Sequence, residues 1–149
     1  MLLASACERI LAEVFESLEA AGHPRLGASQ SFMLRLAGPE GSTVSRMAEL
    51  TRMTPQAVSK AVDQLVALGL AERTSDPVDG RVKRVRQTRT GRQVARSIDD
   101  TLARIEEEWR GGVGDRRLAT MRACLEAFVT AGDPPAPART SRTMRIRLT

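Results

Sequence analysis

The chain has 149 residues, 42% of them apolar and only 3% aromatic, with one Trp and no Tyr. That length fits one domain able to bury a core without staples, and no apolar run is long enough to span a membrane. The net charge is +5. Two distant cysteines and an N-terminus without a basic stretch predict no disulfide framework, no signal peptide and a cytoplasmic location.

The charge is unevenly spread. Residues 45–98 hold eleven Lys/Arg against five Asp/Glu, whereas 1–44 and 97–132 are each −2 and the stretch from 133 is +3. A basic middle between acidic flanks is the footprint of a polyanion-binding surface. A merely solvated basic face is the bland alternative, and it is disfavoured because the charge falls on a hairpin.

The first predicted helix runs roughly from Ala4 to Ala21. Leu3, Cys7, Ile10, Val14 and Leu18 recur at helical spacing, Leu11 and Phe15 widen the stripe, and Gly22-His23-Pro24 stops it. A second helix near Ser29 to Ala37 carries Phe32, Met33 and Leu36. It ends in Gly38-Pro39-Glu40-Gly41. Thr43-Val44 reads as extended, and Ser45 as the N-cap of a short helix from Arg46 to Leu50.

After the turn Thr51-Arg52-Met53, Thr54 caps a further helix with Pro55 at its first position. Val58, Ala61, Val62 and Leu65 fall within about 60° of one another, which makes a core face. Gln56, Lys60 and Asp63 fall opposite, with Ser59 on the flank. Gly69 supplies the stop.

Ala71 to Ser75 and Val82 to Gln87 then form a hairpin around Asp76-Pro77-Val78-Asp79-Gly80-Arg81. Arg81, Lys83, Arg84, Arg86, Arg89, Arg92 and Arg96 follow without an acidic residue. A helix offering a polar face beside a basic β-wing is a way of gripping duplex DNA. The expected fold is therefore mainly α with a small β-hairpin wing: a winged helix-turn-helix module plus a helical dimerisation region.

A long helix starting near Thr90 carries Val94, Ile98, Leu102, Ile105 and Trp109 and spans roughly 30 Å to Arg110. Gly111-Gly112-Val113-Gly114 is expected to break it. A last helix near Asp115 to Val129 shows Leu118, Met121, Leu125 and Phe128. Residues 133–149 are Pro-rich and then basic, without periodicity, and read as a mobile tail. Met144 to Leu148 reads as a strand only if a partner exists.

In this order the elements resemble the MarR family of winged helix-turn-helix regulators over about residues 5–130. The pieces that carry the resemblance are Asp-Pro-x-Asp-x-Arg at Asp76 to Arg81, Thr-x-x-Gly at Thr88 to Gly91, and Val58 to Leu65. Three places depart from the family pattern: Gln87 where Leu is usual, Gly27 where Thr or Ser is usual, and the stretch beyond 132.

The resemblance implies one domain over 1–132, with dimerisation parts about 1–22 and 98–130 and a winged module about 29–97. It also implies a homodimer acting as a ligand-responsive repressor on an inverted-repeat operator. Thr54, Pro55, Gln56, Ser59 and Lys60 would meet base edges in the major groove. Arg81 would enter the minor groove, oriented by Asp79 through a charge-assisted bond. Lys83, Arg84, Arg86 and Arg89 would contact phosphates.

The family's effector pocket, for small aromatic or amphipathic ligands, would draw on Phe15, His23, Phe32 and Met33. Some members sense oxidants through a cysteine of the first helix. Cys7, however, sits within an apolar stripe, where a buried small hydrophobe is the ordinary reading. Cys124 reads as structural or incidental, and Glu106-Glu107-Glu108 as a solvated face. No metal-ligand spacing, nucleophile–base pair or phosphate-binding glycine loop appears, so neither cofactor nor enzyme activity is expected. The competing function is a winged-helix protein–protein module without specific DNA binding.

Overall fold

The computed structural model describes residues 1–130, divided into two compact units, Met1–Glu107 and the remainder from Glu108. Its elements run α1 (Leu2–Ala20), α2 (Ala28–Ala37), β1 (Ser42–Thr43), α3 (Val44–Thr51), α4 (Pro55–Ala67), β2 (Ala71–Ser75), β3 (Lys83–Gln87), α5 (Arg89–Val113) and α6 (Asp115–Thr130). The mainly helical class with a small antiparallel sheet is as expected. The tail from 133 and the strand considered at Met144 to Leu148 lie outside the described residues.

Two strands were expected and three are found, in the order β1-β3-β2. Ser42 pairs with Val85 and Thr43 with Arg84, while Ala71 to Ser75 pair with Gln87 back to Lys83. Pairing of β1 also moves the start of α3. Thr43, not Ser45, is the N-cap, its Oγ1 accepting from Arg46 N at 3.1 Å.

The core of the first unit joins Val14 and Leu18 of α1 to Met33, Leu34 and Ala37 of α2, Met47 of α3, and Val58, Ala61, Val62 and Leu65 of α4. Val85 of β3 and Val94, Ala95 and Ile98 of α5 complete it. The stripe read on α4 is thus buried as a set, because its spacing matches one face of a helix. On α1 only the later half of the stripe is covered. Leu3 and Cys7 are exposed, so Cys7 is not the buried hydrophobe that periodicity suggested.

Gln87, the departure from the family pattern, is buried, and its packing is resolved by hydrogen bonds. Its Nε2 donates to Leu34 O at 2.8 Å, and its backbone N donates to Gly38 O at 2.9 Å. Leu34 O lies in the last turn of α2, where carbonyls lack helical partners. Gln87 therefore fastens β3 to the end of α2.

The Thr-x-x-Gly motif has a comparable cause. Thr88 Oγ1 accepts from Gly91 N at 3.0 Å and donates to Gly69 O at 2.7 Å, while Thr88 N donates to Leu70 O. Gly91 is required by contact: a Cβ there would lie 1.8 Å from Leu70 O. Gly111 and Gly112 do not break α5, which continues to Val113. The stop is Gly114, at φ +83°, a conformation glycine adopts readily.

In the second unit, Leu118 of α6 is buried, while Met121, Leu125, Phe128 and Val129 remain exposed. Among the described residues no helix is long and apolar enough to cross a membrane.

Candidate nucleic-acid interface

Residues from Thr54 to Asp63 place one turn-helix junction and one polar helix face. Thr54 Oγ1 accepts from Ala57 N at 3.2 Å with Pro55 at the first helical position. Both residues therefore set where α4 begins, and the Thr54 hydroxyl oxygen is engaged in the cap. Beyond them, Gln56, Ser59, Lys60, Asp63, Gln64 and Ala67 line an open groove of about 600 Å³ along the helix. Gln56 and Lys60 are exposed, one turn apart, and their side chains have no hydrogen bond to any described residue.

The face is braced from two sides. Gln30 of α2 donates through Nε2 to Gln64 Oε1 at 3.1 Å, while its own Oε1 accepts from Gly27 N. From the wing, Arg73 Nη2 donates to Asp63 Oδ1 at 2.7 Å and to Ser59 Oγ at 3.3 Å. Sequence reasoning passed over Arg73. Its exposed place in the β2 alternation was the available signal, but only the packing of β2 beside α4 reveals its partners.

The wing turn is organised by Asp76. Its Oδ1 accepts from Val78 N at 2.8 Å and Asp79 N at 3.1 Å, and its Oδ2 receives Arg84 Nη1 at 2.8 Å. Arg84, first, and then these backbone amides hold the Asp76 carboxyl below the ordinary carboxylate value of 3.8. Hydrogen bonds that favour the charged form have this effect.

The polar side chains of the wing also have partners within the chain. Arg84 also donates to Gly41 O at 2.8 Å through Nη2. Its guanidinium thus braces the hairpin. Asp79 does not orient the Arg81 guanidinium; its Oδ1 accepts from Arg81 backbone N at 3.0 Å and so shapes the turn. Arg86 is paired across the strands with Glu72 at 2.7 Å, and Lys83 donates to Ser75 Oγ at 2.8 Å. Arg81 at the tip and Arg89 at the start of α5 are exposed, their side chains unpaired among the described residues.

The four residues assigned to an effector pocket differ in their surroundings. Met33 is wholly buried in the core, whereas its neighbour Phe32 is exposed. His23 is 3.3 Å from Ser97 Oγ. Phe15 lines a cleft of about 480 Å³, together with Glu8, Leu11, Ala12, Glu16, Glu19 and Arg25. The Arg25 guanidinium lies 5.9 Å from the Phe15 ring centroid. Among the described residues, no cluster of three or more His, Cys, Asp or Glu is placed to hold a metal ion.

Residues 32–82, from α2 through the wing turn, match a family model. The family is MarR. No curated protein matches the chain. Among solved structures, a MarR-family transcriptional regulator from Rhodococcus sp. RHA1 is 25% identical, with a TM-score of 0.69 over 87% of this chain and 91% of that one. CouR from Rhodococcus jostii RHA1, bound to p-coumaroyl-CoA, is 24% identical with the same TM-score, over 89% and 92% of the two chains. Streptococcus pneumoniae FabT in complex with DNA is 21% identical, TM-score 0.69, over 85% and 90%. The chain thus has the winged-helix fold of MarR transcriptional regulators.

Proposed function

We propose that the protein is a sequence-specific duplex-DNA-binding transcriptional regulator of MarR type, acting as a homodimeric repressor that an effector releases. The observation that carries this reading is the pairing of two outward-facing groups on one rigid module. One is the Gln56–Lys60 face of α4 and the other is the unpaired Arg81 at the wing tip. Thr54 and Pro55 fix the start of the helix, so Gln56 and Lys60 project from its first turns, the part that meets base edges in this motif. Gln pairs bidentately with adenine and Lys donates to guanine O6 and N7. Arg81 is a minor-groove candidate, with Arg89 and Lys83 as phosphate contacts. A DNA complex among proteins of the same fold supports DNA as the partner.

Dimerisation rests on unspent apolar surface. Leu2 and Leu3 on α1 are exposed, and so are Leu125, Phe128 and Val129 on α6. Patches of this kind mark association sites, and closed two-fold pairing is the commonest way to cover them. CouR is seen with an aromatic acyl-CoA, which supports a small amphipathic effector here.

Fluorescence anisotropy with duplex from the region upstream of the protein's own gene tests the function. Binding is expected to be specific, competed poorly by scrambled duplex, and to fall steeply with salt as counterions are released. A flat salt response with equal affinity for every duplex would favour a protein-docking role. Sedimentation at low micromolar concentration should give a dimer.

A further inference from the structure

Arg73 does something to the recognition face that its place on the wing does not announce. Its guanidinium reaches from β2 to α4, where one nitrogen, Nη2, donates to both Asp63 Oδ1 at 2.7 Å and Ser59 Oγ at 3.3 Å. Ser59 and Asp63 are one helical turn apart and both line the open groove that Gln56 and Lys60 share. Asp63 is well exposed, with 65% of its side chain accessible.

Two consequences follow from this geometry. A bare carboxylate on a surface that faces a polyanion is repelled by it, and the Arg73 guanidinium offsets that charge. The second concerns the serine. A hydroxyl has one proton to donate and two lone pairs to accept with. One lone pair of Ser59 is taken by a cationic donor, while its proton is given to no described group. A hydroxyl polarised by an adjacent cation is a stronger donor and a weaker acceptor.

We propose that Arg73 is a specificity-setting positioning residue, which turns Ser59 into an outward hydrogen-bond donor and so makes α4 select a base edge that offers an acceptor. The proposal rests on the reading of α4 as the helix that faces the bases. In the major groove guanine shows N7 and O6 acceptors, whereas cytosine shows only an amino donor. A G·C pair in the Ser59 register is therefore favoured over the inverted C·G pair, with thymine O4 and adenine N7 also able to serve.

The test is competition binding with a set of operators, each carrying one inverted base pair, measured for the parent, Ser59→Ala, Arg73→Met and the double variant. The parent should lose about tenfold in affinity, some 1.4 kcal/mol, when the G·C pair read by Ser59 is inverted to C·G. Ser59→Ala and Arg73→Met should each abolish discrimination at that one position while keeping it elsewhere, and the double variant should add nothing further. Arg73→Lys keeps a positive charge near Asp63 and should hold scrambled-duplex affinity close to the parent's.

An Arg73→Met protein that weakens on all duplexes alike, with an unchanged inversion profile, would overturn the proposal. If Arg73→Met fails to fold, Ser59→Ala decides alone: an inversion profile identical to the parent's overturns it as well. A parent that binds every inverted operator equally would overturn the reading of α4 itself, a result distinguishable from failure of the Arg73 role.

Discussion

Asp76 and Arg84 close the mouth of the wing turn against each other. Nη1 of Arg84 donates to Oδ2 of Asp76 at 2.8 Å, while Nη2 of the same guanidinium reaches Gly41 O at 2.8 Å. One arginine thus ties the wing turn to the strand entry on the far side of β3. The only polar atom of that guanidinium buried without a partner is its Nε.

A pH dependence follows from this pair. The Asp76 carboxyl is held below 3.8, chiefly by Arg84 and then by the amides of Asp79 and Val78. A depressed carboxylate stabilises the folded form above its unfolded value, and the contribution is lost as pH falls through the lower folded value. The wing turn should accordingly keep its form down to pH 3.8 and loosen only below it. NMR titration of the Asp76 carboxyl carbon checks this, and a midpoint at or above 3.8 would contradict it. Asp76→Asn should loosen the turn at neutral pH and remove the acid transition there.

Gln87 gives a stability prediction. Its amide is the partner of a buried carbonyl, so Gln87→Ala should cost about 1–3 kcal/mol for the unpaired Leu34 oxygen, plus lost packing. Gln87→Leu refills the volume but leaves the carbonyl alone and should fall between parent and Ala. Urea denaturation orders the three. A Leu variant as stable as the parent would mean the amide bond carries no stability.

Glycines separate into two kinds. Gly91→Ala brings a Cβ within 1.8 Å of one backbone oxygen, and neither α5 nor the Leu70 carbonyl can give cheaply. The cost should reach about 3 kcal/mol, the upper end of overpacking penalties. Gly112 lies in a helix with nothing within 4 Å of its added Cβ. Gly112→Ala should therefore stabilise, by up to about 1 kcal/mol. Thermal melts of the two variants should shift in opposite directions.

What the sequence made legible was local. The Thr54-Pro55 start of α4, its buried stripe and the turn at Asp76 each depend on residues within one or two turns, and all three stand. The N-cap of α3 was misplaced because Ser45 and Thr43 are equally able to cap, and the choice is made by pairing of Thr43 with Arg84, which lies far along the chain. Periodicity marked the face of α1 that holds Cys7, yet could not say whether anything covers it. Arg84 counted as one more basic residue until its two partners, Asp76 and Gly41, were seen. Arg73 was missed for the same reason, since a charged residue on a strand does not name the helix it will meet.

Arg81 is the sharpest test of the wing. Its backbone is fixed by the bond from Arg81 N to Asp79 Oδ1, while its side chain is exposed and makes no bond to any described residue. Little packing is lost on truncation, so Arg81→Ala should leave the melting temperature nearly unchanged. If the side chain enters a minor groove, operator affinity should fall at least about tenfold, roughly 1.4 kcal/mol. The fall should be larger on A·T-rich flanks, because a narrow groove concentrates negative potential and rewards an inserted guanidinium. Arg86→Ala is the contrast. Arg86 is paired with Glu72 on the strand, so its removal exposes a carboxylate and should weaken all duplexes alike. Titrating parent and both variants against operators with A·T or G·C flanks separates the two behaviours. Equal affinities for Arg81→Ala and parent on both flanks would show that the wing tip does not read the groove.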